Sequence, residues 1–255
     1  MKRILVLACL ATMLLPLAHA ERWVFITRHC QATSKGVPLP IKGDAGITEL
    51  GVKQAHLLGK ELRKLNFKGK IFASPYYRTV ATACHAAKEC GGKVYPDARV
   101  QERVRRDGGN MKPGATLEEL KKIFPDEIAP EAKLAHPWLI TKKDQRNDQR
   151  KRLNKVLDEI LAENPDGDIL FVVHASAVAD FQRIMRERCG DKNINGFVWN
   201  CALFKFAVDD NGKFRFLGYD IGFMPEDEVT SNLNDSLLKH KAGKPASRSG
   251  VDYKL

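Results

Sequence analysis

Val24-Phe25-Ile26-Thr27-Arg28-His29-Cys30 runs from β-branched and aromatic side chains straight into an adjacent arginine and histidine. The apolar half reads as a buried strand over residues 22–27. In open α/β folds, ligands bind where the chain leaves the carboxyl ends of strands, so Arg28 and His29 stand where chemistry is usually done. An imidazole there can attack an electrophile, and a planar guanidinium can grip two oxygens of a phosphate. Alone, such a pair is more often an ordinary surface pair at a strand end. Its weight comes from partners further along the chain.

Outward from this strand, the pattern alternates. Ile47-Thr48-Glu49-Leu50-Gly51 opens a helix with Ala55, Leu58, Leu62 and Leu65 at helical spacing and Thr48 as its cap. Lys70-Ile71-Phe72-Ala73 reads as a second strand, and Tyr77 to Lys88 as a helix ending at Gly91-Gly92. Asp97 to Pro113 lacks a period and is expected to be a long loop, with a short helix following from Thr116 to Phe124. Asp144 to Glu163 reads as a long polar helix that turns Leu153, Val156, Leu157, Ile160 and Leu161 inward. Asp168 to Val173 is the strongest strand signal, followed by a helix from about Ser176 to Arg188. Cys201–Val208 and Lys213–Tyr219 flank Asp209-Asp210-Asn211-Gly212, a hairpin signal. Strands alternating with helices predict an α/β fold: a three-layer α/β/α sandwich, with a mostly parallel central sheet, helices on both faces and an antiparallel edge hairpin.

The first twenty residues read as a signal peptide. Lys2 and Arg3 form its positive end, Ile4 to Leu17 its apolar stretch, and Ala18-His19-Ala20 a small-x-small cleavage site ahead of Glu21. The apolar stretch is shorter than the roughly 18 residues of a spanning helix. The expected organisation is residues 1–20 signal peptide, 21–225 one α/β domain, and 226–255 a polar C-terminal tail. The expected location is outside the cytosol, periplasmic in a bacterium or secreted in a eukaryote, with no membrane partner.

Without Lys2 and Arg3, 40 basic residues face 31 acidic ones, a net charge of about +9. That excess favours anionic partners without choosing among them. The chain has no zinc-finger spacing and no RNA-binding aromatic signature, so no nucleic-acid partner is expected. No Cys-x-x-Cys or His-Glu-x-x-His occurs, so spacing offers no metal site. Cys30, Cys84, Cys90, Cys189 and Cys201 remain after cleavage, an odd number. Cys189 with Cys201 is one candidate bridge across a helix-to-strand connection.

Four places bring phosphate-suited groups toward strand ends. Arg28 and His29 follow the first strand, and Ser74-Pro75-Tyr76-Tyr77-Arg78 follows the second. Glu102 lies in the irregular segment Val100-Gln101-Glu102-Arg103, and His174 directly follows Phe171-Val172-Val173. With these residues in order, the chain resembles the histidine phosphatase superfamily, also called phosphoglycerate mutase-like. Arg28-His29 matches the first two positions of the family's Arg-His-Gly. Ser74-Pro75-Tyr76-Tyr77-Arg78-Thr79 with Ala81-Thr82-Ala83 matches its Ser-Pro-x-x-Arg and following Thr-Ala. Ile47-Thr48-Glu49-Leu50-Gly51 with Gln54-Ala55 is similar to its Leu-Thr-x-x-Gly-x-x-Gln-Ala, and Val172-Val173-His174 to its final strand-histidine motif. The resemblance spans roughly residues 22 to 208.

This resemblance implies a phosphomonoesterase with His29 as the nucleophile, passing through a phosphohistidine. Arg28, Arg78 and His174 would surround the phosphoryl oxygens, with His174 part of the catalytic set. Glu102 would protonate the leaving oxygen and then help deprotonate water. Phosphoryl transfer is mainly positioning and stabilisation of negative charge, which two guanidiniums and a second imidazole suit. No metal or other cofactor is implied. The partner is a phosphorylated small molecule or phosphoprotein, and oligomeric state is left open.

Two departures stand out: Cys30 where the family usually has glycine, and Ala175 where glycine often follows the second histidine. A bulkier residue there could narrow the pocket, since glycine serves positive φ or close approach. Asp97, Asp107, Glu118 and Glu119 compete with Glu102 as the acid. Three other readings are open. A cysteine phosphatase would need His-Cys, five residues and then arginine, but that position is Gly36. A catalytically impaired binding protein would keep the fold and hold phosphorylated ligands without turnover. A phosphomutase sits less well with export.

Overall fold

The computed structural model describes residues 21–33, 44–104, 115–132, 143 and 147–242. The expected signal peptide, residues 105–113 of the long loop, residues 144–146 at the start of the expected polar helix and the end of the tail lie outside the described residues.

A six-stranded sheet organises the chain. Its strands are β1 (Arg22–Arg28), β4 (Gly69–Ala73), β5 (Lys93–Pro96), β6 (Asp168–Val173), β7 (Leu203–Val208) and β8 (Phe214–Asp220), in the order β5-β4-β6-β1-β7-β8. β5, β4, β6 and β1 are parallel, while β7 runs antiparallel to β1 and pairs with β8 as the edge hairpin. The α/β class, the parallel centre and the antiparallel edge agree with the sequence reading. β5 is an addition to it: only four residues long, on the sheet edge and ending at Pro96, it is too short to show a period.

Successive side chains of a strand point to opposite faces, so β1 feeds two cores. Phe25 packs with Ala55, Leu58 and Leu62 of α1 (Glu49–Lys64) and with Val80, Ala83 and Ala87 of α2 (Tyr77–Cys90). Val24 and Ile26 pack instead with Leu153, Val156 and Ile160 of α4 (Asp148–Glu163) and Val178, Phe181 and Met185 of α5 (Ala175–Cys189). Burying each of the Val, Leu, Ile, Phe and Met side chains among these contributes about 1.5–3 kcal/mol. β6 does the same with Leu170 and Val172 on one face and Ile169, Phe171 and Val173 on the other. The result is the three-layer sandwich.

Caps set where the helices start. Thr48 accepts from Gly51 N at 2.9 Å, and Thr116 with Glu119 forms a capping box on α3 (Leu117–Ile123). α2 ends at Gly91, whose φ of +80° is left-handed, as a helix-terminating glycine requires. At the amino end of the sheet, Asp168 accepts from Trp23 N and Lys68 N, both at 2.9 Å, and so ties β1 and the entry to β4 onto β6.

The C-terminal segment is more structured than a polar tail would be. β9 (Thr230–Asn232) and β10 (Asp235–Ser236) form a small ribbon, and α6 (Leu237–Lys241) follows. A second ribbon pairs β2 (Ala32–Thr33) with β3 (Gly46–Ile47) just after β1. The suggested Cys189–Cys201 bridge does not form. Cys189 ends α5 and Cys201 is buried beside the end of β1, and both are free thiols.

Candidate active site

Because β4, β6 and β1 are parallel neighbours, their carboxyl ends emerge on one edge. In register, Ala73 pairs with Val172 and Arg28 with Val173. His29 N donates to Val173 O at 2.9 Å, and Ser74 N donates to Val172 O at 3.1 Å. Three loops separated by many residues are thereby stitched together, and the sequence-predicted groups meet there.

The rings of His29 and His174 lie 5.3 Å apart, edge to face. Arg78, in the first turn of α2, places Nη2 3.2 Å from His174 Nδ1. A guanidinium can only donate, so that Nδ1 is the unprotonated nitrogen, and Nε2 donates to Ser74 Oγ at 2.8 Å. The same reasoning settles His29. Its Nδ1 is 2.7 Å from the carbonyl oxygen of Cys30, which can only accept, so Nδ1 carries the proton and Nε2 keeps its lone pair. Burial pushes the pKa of His29 well below the ordinary imidazole value, and Arg28 and Arg78 push the same way. Burial, then Arg78, His29 and Arg28, does the same to His174. Both rings are therefore neutral near pH 7. Arg28 is buried and held by Nη1 donation to Val198 O at 3.0 Å.

Glu102 sits on the same edge against the first turn of α5. Its carboxylate accepts from Ser176 N at 3.3 Å, from the Ser176 hydroxyl, and from Gln149 Nε2 at 3.1 Å. Of the competing acids, Asp97 pairs with Arg99, Glu119 belongs to the α3 capping box, Glu118 is exposed in the first turn of α3, and Asp107 lies outside the described residues.

The two departures from glycine do little to this edge. Cys30 does not occupy left-handed backbone. Its side chain turns into the core, where Sγ lies 3.1 Å from Thr82 Oγ1, and burial pushes the thiol up to about 12. A thiolate nucleophile is therefore a poor fit. Ala175 is simply the first residue of α5.

A family model described as the histidine phosphatase superfamily (branch 1) matches residues 24–213, well over half of the chain. The chain belongs to this superfamily. Solved histidine phosphatases and related proteins share its fold. The ecdysone phosphate phosphatase of Bombix mori, solved with tungstate, is 17% identical with a TM-score of 0.63, the match covering 92% of this chain and 97% of that one. A mycobacterial glucosyl-3-phosphoglycerate phosphatase, solved with VO3, is 21% identical with a TM-score of 0.51, covering 78% and 98%. A phosphoserine phosphatase mutant of Entamoeba histolytica, in complex with phosphoserine, is 18% identical with a TM-score of 0.52, covering 80% and 100%. No curated protein matches. Membership of the superfamily supports a phosphatase-type hydrolase, in a family that also includes mutases, and the solved neighbours bear out the fold.

Sequence reading missed several groups on this histidine phosphatase edge. Asp44 is buried, pairs with Arg78 Nη1 at 3.2 Å and accepts from Tyr77 N at 2.5 Å. Tyr76 lies edge-on to His174, 5.5 Å away, under the Arg78 guanidinium. Ser176 and Gln149 hold Glu102, and Asn200 Nδ2 donates to His29 O at 2.8 Å. None had a local signal except Asp44, a lone acid shortly before the Thr48 cap.

Proposed function

We propose that the chain is an exported phosphomonoesterase that acts through a phosphohistidine at His29 and needs no metal. The observation that carries this reading is the tautomer of His29. With Nδ1–H committed to the Cys30 carbonyl, Nε2 is left with an in-plane lone pair beside His174. The substrate's phosphoryl oxygens sit against Arg28, Arg78 and His174. Nε2 attacks phosphorus, the P–O bond to the leaving oxygen breaks, and Glu102 gives that oxygen its proton. Water then attacks phosphorus and passes a proton back to Glu102. The P–N bond breaks and inorganic phosphate leaves. Positive charge from two guanidiniums offsets the charge spreading over the transferring group. A positioned general acid contributes about 10² to 10⁴ in rate.

The substrate is a phosphate monoester of a small molecule or of a protein. Export rests on Lys2-Arg3, the apolar Ile4–Leu17 and Ala18-His19-Ala20.

Steady-state turnover of an aryl phosphate in the presence of EDTA is the test, with acid-quench trapping of phosphohistidine. His29→Ala abolishes turnover and trapped label. Glu102→Gln slows alkyl phosphates far more than aryl phosphates, whose leaving groups need less protonation. Binding of phosphate without turnover on a broad panel overturns the enzymatic reading. Amino-terminal sequencing of protein recovered from outside the cytosol begins at Glu21 if the leader is cleaved as read.

A further inference from the structure

The peptide joining His29 to Cys30 is held on both edges. Its carbonyl accepts from Asn200 Nδ2 at 2.8 Å, and its N–H donates to Thr82 Oγ1 at 3.0 Å. The next peptide N–H, that of Gln31, donates to Gln54 Oε1 at 2.8 Å. Two of these holding side chains, Asn200 and Gln54, converge on a single hydroxyl. Thr230 Oγ1 accepts from Gln54 Nε2 at 2.9 Å and from Gln31 Nε2 at 3.2 Å, and donates to Asn200 Oδ1 at 3.2 Å. A hydroxyl has one proton and two lone pairs, and all three are used. The Thr230 carbonyl also accepts from Asn200 N at 2.8 Å. Thr230, Asn200, Gln31 and Gln54 are all buried. Thr230 lies on β9, beyond the 24–213 span that defines the superfamily match.

We propose that Thr230 is a positioning residue for His29, acting through Asn200, so that the C-terminal ribbon sets where the attacking imidazole stands. This rests on the reading of His29 as nucleophile. The amide of Asn200 presents Nδ2 to His29 O only while its Oδ1 is matched by the Thr230 proton. Without that hydroxyl, Asn200 loses the group that fixes its rotation, and the His29–Cys30 peptide loses its carbonyl restraint. That peptide carries the backbone from which the imidazole projects and leads into Cys30, whose carbonyl accepts the Nδ1–H. Buried polar networks respond in this way when one member is removed.

Thr230→Val is nearly isosteric and removes only the hydroxyl, while Thr230→Ser restores it. Each variant is measured for kcat and KM on an aryl phosphate, for inhibition by inorganic phosphate, and for inhibition by orthovanadate. Orthovanadate's five-coordinate form needs His29 in its attacking place. Displacing a reacting group by about 1 Å can cost 10²-fold. Thr230→Val is therefore expected to lower kcat by roughly 10- to 100-fold. Vanadate affinity falls in parallel, while KM and phosphate inhibition hold and Thr230→Ser recovers most of the loss. The proposal is overturned if Thr230→Val lowers Tm but keeps wild-type kcat and vanadate inhibition, or if Thr230→Ser is as impaired as Thr230→Val. Should Thr230→Val fail to fold, Asn200→Ala is read against the same two outcomes. If wild type shows no turnover, the phosphatase reading has failed, and vanadate binding against phosphate binding still decides the role of Thr230.

Discussion

Buried Asp44 and half-buried Arg78 form an ion pair at 3.2 Å, and the same carboxylate accepts the N–H of Tyr77 at the start of α2. The carboxylate therefore fixes the arginine and the helix turn that carries it. The other terminal nitrogen of Arg78 reaches His174. Asp44→Asn keeps the shape but removes the charge. Its expected effect is a fall in kcat/KM of about tenfold, carried mostly by KM, because a loosened guanidinium grips ground-state phosphate less well. Asp44→Ala also leaves Tyr77 N without this partner and destabilises by about 1–3 kcal/mol. Steady-state kinetics with denaturant titration separates the two effects, and unchanged KM in Asp44→Asn would show that Arg78 holds its place unaided.

The depressed histidines make stability depend on pH. His29 and His174 are held neutral in the folded state by burial and the arginines. Burial, with His56 and Lys88 nearby, pushes His85 down to about 4. In the unfolded chain these rings titrate near 6.5, so above that pH neither state holds the extra protons. As pH falls below 6.5, the unfolded state binds protons that the folded state refuses, and stability drops toward the folded values. Urea midpoints are expected to decline from pH 6.5 to 5 and to be insensitive to these groups above pH 7.5. His85→Leu should flatten part of that decline. An equal slope in the variant would remove His85 from the account.

Cys30 invites confusion with a cysteine nucleophile, and its environment argues otherwise. A thiol at about 12 is almost wholly protonated at neutral pH, and the side chain is fully buried. Native protein is expected to keep Cys30 unalkylated by iodoacetamide while turnover persists, with modification appearing only on unfolding. Cys30→Ser keeps turnover that His29→Ala abolishes. The reverse pattern would hand the chemistry to sulfur.

Gly51 is required by close approach rather than by φ. A Cβ there would sit 2.2 Å from Gln31 O and 3.1 Å from Cys30 Sγ, on the loop that carries His29. Gly51→Ala forces α1 and that loop apart. The expected cost is about 1–3 kcal/mol of stability, with a larger proportional loss in kcat than in folded fraction. Normal kcat in the folded protein would show that the helix, and not the loop, gives way.

Much of this molecule is legible in its order of residues. The apolar run Val24–Ile26, the strand Asp168–Val173 and the helical spacing of Ala55, Leu58 and Leu62 announce alternating strands and helices, because side-chain period is a local property of the backbone. Arg28, His29, Arg78 and His174 stand out because each lies just past such an element. β5 escaped notice as a four-residue edge strand. The segment after Pro225 looked like a tail because polar composition marks solvent exposure only on average, and Thr230 and Asp235 are in fact buried.

By itself, then, the chain's residue order determined the α/β class, the boundaries of most elements and the identities of the phosphate-suited side chains. Tertiary structure alone decided that three parallel strand ends share one edge, that Nδ1 of His29 is committed to Cys30 O, and that Asp44, Asn200 and Thr230 brace the groups that meet there. The physical reason is range. Periodicity and capping are set by neighbours a few residues away, whereas a hydrogen bond between Thr230 and Gln54 spans 176 positions. Such a bond exists only once the sheet register has brought its ends together.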